Sequence, residues 1–152
     1  MKKTTTPSTA KADEWAILVI QNLAAGALGY VAHPIHMHGH DFWVLAQGYN
    51  TLWDGTTTSF NLANPPRRDT ALLPAHGYLA LAFRLDNPGV WLVHCHIAWH
   101  ASQGLALEFV EGGGEVKLGG GDRSVFDQTC KRWEAWAGQK GGPPFGQPDS
   151  GI

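Results

Sequence analysis

The sequence predicts an all-β protein, a Greek-key β-sandwich followed by a C-terminal helix and an extended tail. Three observations predict it. The chain is 43% hydrophobic and only 16% charged, with seven tryptophans, so its apolar segments are rich in strand-favouring aromatic residues. Those segments are short and are cut by turn residues, among them 19 glycines. About seven of them recur with regular turn signals, the pattern of two packed antiparallel sheets. At 152 residues the chain is long enough to bury the core of one domain.

In chain order, residues 1–13 read as a polar, disordered leader, since Met1-Lys2-Lys3 runs into Thr4-Thr5-Thr6-Pro7-Ser8. Trp15 to Asn22 is the first strand, closed by a turn-prone Asn, and Gly26 and Gly29 mark a loop before His33. Asp41 to Ala46 forms a strand ended by Gly48, and residues 50–69 read as loop. Thr70 to Leu73 and Tyr78 to Leu85 are two strands separated by Pro74 and Gly77. The Asp86-Asn87-Pro88-Gly89 turn then leads into the apolar strand Trp91-Leu92-Val93, which carries His94, Cys95 and His96. Gly104 to Val110 is the last strand, and Gly112-Gly113-Gly114 ends the sandwich. The domain therefore spans 14–121, with a helix and tail over 122–152 that pack on it. In that helix Phe126, Cys130, Trp133 and Ala137 share one face, Asp122 caps the start and Gly138 closes it.

A formal net charge of −2 gives no electrostatic case for nucleic acid or a membrane surface. The leader lacks the apolar run of a signal peptide, and no stretch is long enough to span a bilayer. Cys95 and Cys130 could pair in principle. Cys95 is better used as a thiolate ligand, which leaves Cys130 as a free thiol or a bridge to something outside this chain.

Chemistry concentrates in two clusters. His94, Cys95, His96 and His100 place four good metal ligands within seven positions. Alternation along a strand turns Cys95 to one face and His94 and His96, about 6.6 Å apart at two strand rises, to the other. The second cluster is His33-Pro34-Ile35-His36-Met37-His38-Gly39-His40. Pro34 biases its neighbour towards extended backbone. In an extended segment, His36 and His38 share a face and His33 takes the opposite one. The parity matches the first cluster, His33 with Cys95, and His36 and His38 with His94 and His96. His100 falls at an odd offset, so the chain must turn through Ile97-Ala98-Trp99 to bring its ring beside the thiolate. Two His and one Cys make the ligand set of a blue-copper electron-transfer site, with a weak axial ligand expected soon after His100.

Zinc is the serious rival, because Cys and His also bind it. No Cys-x-x-Cys pair exists, however, and His-Cys-His on one strand cannot close tetrahedrally on one ion. A Cys-His nucleophile lacks any neighbouring oxyanion-hole or orienting-acid pattern. His40 shares the parity of the ligands but reads as a supporting or structural residue, His76 reads as an exposed turn residue, and Met37 reads as core.

His33-Pro-Ile-His-Met-His-Gly-His40 and His94-Cys-His-Ile-Ala-Trp-His100, with Gly104 and Leu105 following, resemble the two C-terminal copper motifs of multicopper oxidases, most of all fungal laccases. The Asn64-Pro-Pro-Arg-Arg-Asp69 run, the Asp86-Asn-Pro-Gly-Val-Trp91 approach and the closing Asp149-Ser-Gly-Ile152 are similar to the ascomycete group. The match covers roughly residues 14–152 and is looser over 23–32 and 50–60. It implies that 14–121 is a cupredoxin (plastocyanin-like) domain, the third of three.

The resemblance also implies roles. His33, Cys95 and His100 correspond to type 1 copper ligands, the complete site of this chain. Leu105 falls where some relatives carry an axial Met; leucine cannot coordinate, which favours a higher reduction potential. His36 corresponds to a type 2 ligand, and His38, His94 and His96 to type 3 ligands. These four are half of a trinuclear cluster, whose other four His belong in the family to an N-terminal cupredoxin domain. Cys130 corresponds to a cysteine that bridges to that domain, and Ile152 to the C-terminal plug of the channel to the cluster.

The activity implied is one-electron oxidation of a phenol or aromatic amine near an exposed His100, coupled to reduction of dioxygen to water by an extracellular enzyme. With half of the cluster ligands absent, this chain is expected to be inactive alone. Two other readings stay open: a stand-alone one-copper cupredoxin that relays electrons, and part of a ferroxidase-type metal oxidase.

Overall fold

The computed structural model describes residues 2–3, 14–23, 30–112 and 123–137. The rest of the leader, the Gly26 to Gly29 loop, the Asp122 cap, the tail and Ile152 lie outside these. The strands are β1 (Lys2–Lys3), β2 (Trp15–Gln21), β3 (His33–Met37), β4 (Phe42–Gly48), β5 (Arg67–Arg68), β6 (Thr70–Leu73), β7 (Tyr78–Arg84), β8 (Gly89–Cys95) and β9 (Ala106–Glu111). Two helices complete the described residues, α1 (Ala98–Ser102) and α2 (Arg123–Ala137).

The strands form two sheets, one in the order β1-β9-β8-β3-β6 and the other β2-β7-β4-β5. All pairings are antiparallel except that of β1, which lies parallel to β9. Consecutive strands lie in different sheets at β1 to β2, β2 to β3, β3 to β4, β5 to β6, β6 to β7 and β7 to β8. The expected all-β sandwich is the one observed. Two elements differ from expectation. Residues 67–68 pair with β4 although the whole 50–69 stretch reads as loop, and Lys2–Lys3 of the leader pair with β9.

β7 explains how the layers are held. Its run Tyr-Leu-Ala-Leu-Ala-Phe is apolar without alternation, and successive side chains leave on opposite faces. Leu79, Leu81 and Phe83 join the main core between the sheets with Ile35, Met37, Phe42, Val93 and Cys95. Tyr78, Ala80 and Ala82 join a second cluster on the outer face, where Trp53 and Phe60 of the 50–66 connection pack against them. The strand is thus buried on both sides, as unbroken apolar strands require.

The register between β3 and β8 sets Ile35 opposite Cys95, His36 opposite His94 and Met37 opposite Val93. Ile35, Met37, Val93 and Cys95 face the core, so His36 and His94 emerge together on the other side. β3 ends in a turn at Gly39, whose φ of +74° favours glycine, and a Cβ there would meet the Trp91 ring at 2.5 Å. Gly39→Ala is therefore expected to cost about 1–3 kcal/mol, checked by denaturant unfolding. A loss below about 0.5 kcal/mol would mean that the indole moves aside freely.

α2 runs over the residues expected to be helical, and Val125, Phe126, Trp133 and Trp136 on it are exposed. Cys130 is an exposed free thiol. Among the described residues, no helix is long and apolar enough to cross a membrane.

Candidate metal centre

Three side chains meet at the end of β8. His33 opens β3, Cys95 closes β8, and His100 is delivered by α1, one helical turn beyond the strand. The turn is needed because His100 sits at the wrong parity for a straight strand. It folds the imidazole back so that Nδ1 stands 3.5 Å from Cys95 Sγ and 3.1 Å from His33 Nδ1, which itself lies 3.7 Å from the sulfur. A point equidistant from these three atoms lies about 2 Å from each, the length of a first-row metal–imidazole bond and slightly under a metal–thiolate bond. All three residues are buried. Lone-pair atoms crowded in a dry site are stabilised by a shared cation.

His100 corrects one expectation. Its ring is not exposed but 5% accessible, because α1 lays it against His33 and against Trp99, whose ring centroid is 3.8 Å away. Its Nε2 is buried and has no hydrogen-bond partner among the described residues. Burial lowers its pKa, so at neutral pH the imidazole is neutral and able to coordinate. Burial pushes the Cys95 thiol up, an effect the Ile97 backbone N–H only partly opposes. A metal must therefore displace a thiol proton.

Leu105 reaches this site through its backbone, accepting from Cys95 N at 3.0 Å and donating to His100 O at 3.0 Å. Its hydrocarbon side chain offers no ligand atom.

The opposite face holds the second group. His36, His38 and His94 have ligand atoms within 4.8 Å of one another, and Nε2 of His38 and Nε2 of His94 are 3.1 Å apart. His96 stands beside them, its ring 5.8 Å from His94 and 5.9 Å from His36, outside that tight set. The backbone selects which nitrogens remain for a metal. His36 Nδ1 bonds the Asp69 carbonyl at 3.0 Å and Thr70 Oγ1 at 3.1 Å; His94 Nδ1 donates to the Cys95 carbonyl at 2.9 Å. In both rings Nε2 is left to coordinate. Desolvation, then the neighbouring His36, His94 and His96, lowers the His38 pKa and keeps it neutral.

Sequence reasoning missed the partners of these rings. Thr70 lies opposite His36 in the β3–β6 register, so strand pairing, not a motif, brings it there. His76 also departs from expectation: it is half-buried, with φ +46° and its ring edge-on to Tyr30 at 4.6 Å. Met37 lies in the core, as its parity predicts.

A profile of the multicopper oxidase family matches residues 1–115. The chain belongs to the multicopper oxidases. It is 51% identical over 147 residues to Laccase-1 of Botryotinia fuckeliana, covering 95% of this chain and 24% of that one. With Laccase-2 of the same organism the identity is 49% over 142 residues, covering 92% of this chain and 23% of the relative. The crystal structure of the laccase from Botrytis aclada superposes with a TM-score of 0.71 at 43% identity, covering 95% of this chain and 26% of that one. The sandwich is thus a cupredoxin-like multicopper oxidase domain, similar to those of laccases, and membership implies copper as its metal. The chain spans about a quarter of the length of these relatives.

Proposed function

We propose that this chain is the C-terminal copper domain of a laccase-type oxidase, with a complete type 1 site at His33, Cys95 and His100. Copper, when bound, supplies the one-electron chemistry. Leu105, whose side chain carries no ligand atom, would offer a bound copper no further bond. His36, His38, His94 and His96 form the type 2 and type 3 half-sites of a trinuclear centre, and a further cupredoxin domain completes it. The electron donors are phenols or aromatic amines, the acceptor is dioxygen, and the enzyme acts outside the cell, in line with its laccase relatives.

The observation that carries this reading is the buried triangle of one sulfur and two imidazole nitrogens, whose centre suits a metal ion. The residues of β8 join the two faces. Cys95 is bonded through the backbone to His94 and His96, and its carbonyl also accepts the His94 Nδ1–H, so a covalent and a hydrogen-bonded link run in parallel. A one-copper carrier has no use for four imidazoles on its outer face, and this favours the oxidase over the stand-alone domain. Greater similarity to laccases than to the iron-import oxidase Fet3p, which superposes at 0.59 with 30% identity, favours a laccase over a ferroxidase.

Copper analysis with a visible spectrum tests it. We expect one tightly held copper with an intense blue band at the Cys95 site, and no oxygen-coupled phenol oxidation by this chain alone. A colourless protein that retains only zinc would overturn the copper assignment; oxygen uptake by the monomeric chain would overturn the half-site.

A further inference from the structure

Glu111 ends β9 as the one buried carboxyl among the described residues, 3% accessible. Its Oε2 lies 2.9 Å from His40 Nε2, whose side chain is also 3% accessible; the two groups pair by proximity without hydrogen-bond alignment, and neither atom has a hydrogen-bond partner among the described residues. The His40 ring is enclosed by Phe83, Phe109 and Trp91 at centroid distances of 5.4, 5.8 and 5.8 Å. A carboxyl in such an aromatic enclosure is costly, and apolar side chains of similar volume commonly fill these spaces with equal or better stability.

What the carboxyl does is join two segments at one turn. Its Oε1 accepts the backbone N–H of Asn87 at 2.7 Å, and Asn87 Nδ2 donates to the Gly39 carbonyl at 2.8 Å. Trp91 Nε1 donates to Asn87 O at 2.8 Å and lays its indole against Gly39. His40 Nδ1, at the other end of the ring, donates to the His38 carbonyl at 3.3 Å. Both branches from Glu111 therefore converge on residues 38–40, the turn that presents His38.

We propose that Glu111, acting through His40 and Asn87, is a positioning residue that fixes the 38–40 turn and so sets where His38 offers its Nε2 to a metal shared with His94. The inference rests on the reading of the four-histidine face as a copper half-site. Glu111 touches no ligand atom itself. One hydrogen-bonded branch through Asn87 and one close carboxyl–imidazole contact through His40 hold the turn against rotation, and supporting partners of this kind commonly govern metal affinity by about 10–100-fold.

The test uses the full 152-residue chain, loaded with copper(II), and reads two sites separately. The blue band reports Cys95, while copper-binding isotherms and the electron paramagnetic resonance of the non-blue copper report the histidine face. We expect Glu111→Leu to keep the blue band but weaken the second copper by at least tenfold and change its hyperfine splitting. Glu111→Gln, which still accepts the Asn87 N–H, should recover most of the affinity. Asn87→Ala, at a half-buried position that tolerates truncation, should give an intermediate loss and serves if Glu111→Leu does not fold. His38→Ala is the control that removes the ligand. Second-site binding equal to wild type in Glu111→Leu, or in Asn87→Ala if that is the folded variant, overturns the clamp while the His38→Ala loss upholds the half-site. Wild-type protein that binds no second copper, or His38→Ala that binds it unchanged, overturns the half-site and the clamp with it.

Discussion

Cys95→Ser removes the blue band completely and takes one tightly bound copper out of the chain. Cys95 is 0% accessible and is the only sulfur in the triangle with His33 and His100. The thiolate is the soft, strongly donating member of the set, and the blue colour of such sites arises from the metal–sulfur bond. Serine keeps the volume but supplies a hydroxyl that does not ionise under the same conditions. It must also satisfy its hydrogen-bonding groups beside Ile35 and Val93, at a cost of about 1–3 kcal/mol. Copper content and the visible spectrum, read on folded protein, check this, and copper on the four-histidine face should remain. A blue band in the serine variant would mean that the sulfur is not a ligand.

Phe42→Ala is expected to lower the stability of the chain by about 3–5 kcal/mol, the largest effect of any single truncation considered. The ring is 0% accessible and belongs to the cluster that joins β3, β6 and β8 of one sheet to β4 and β7 of the other. Phe42 also opens β4 directly after the turn that carries His38 and His40. The loss is a large share of the 5–15 kcal/mol that small domains have. Denaturant unfolding followed by tryptophan fluorescence measures it. A change below about 1 kcal/mol would show that the sheets repack over the gap.

Much of the site was legible from strand parity. Alternation alone divides His33 and Cys95 from His36, His38, His94 and His96, and the β3–β8 register, with Ile35 opposite Cys95 and His36 opposite His94, follows that division. The turn that returns His100 to Cys95 follows from the same reasoning, though its form as one helical turn does not. The burial of His100 was not legible, because it depends on rings from β3 and α1 meeting in space. Glu111 gave no signal either. It lies far from the ligands in sequence, and only the turn at Asn87 and the packing of Trp91 bring its carboxyl to His40. β5 escaped notice because two residues are too few to show a period. The aromatic residues Trp53 and Phe60 look out of place in a loop until β7 is seen to need cover on its outer face.

The three side chains of the buried site differ in how far apart they lie along the chain. Cys95 and His100 are five residues apart, whereas His33 and Cys95 are separated by 62. An ion held by all three is then a cross-link that closes a long loop, comparable to a disulfide in its effect on the unfolded chain. On the loop-closure relation for cross-links, a loop of 62 residues corresponds to about 4 kcal/mol of lost chain entropy in the unfolded state. The same atoms proposed to carry electrons would also act as a removable rivet, and the chain stripped of its metal would unfold under much milder conditions than the loaded one.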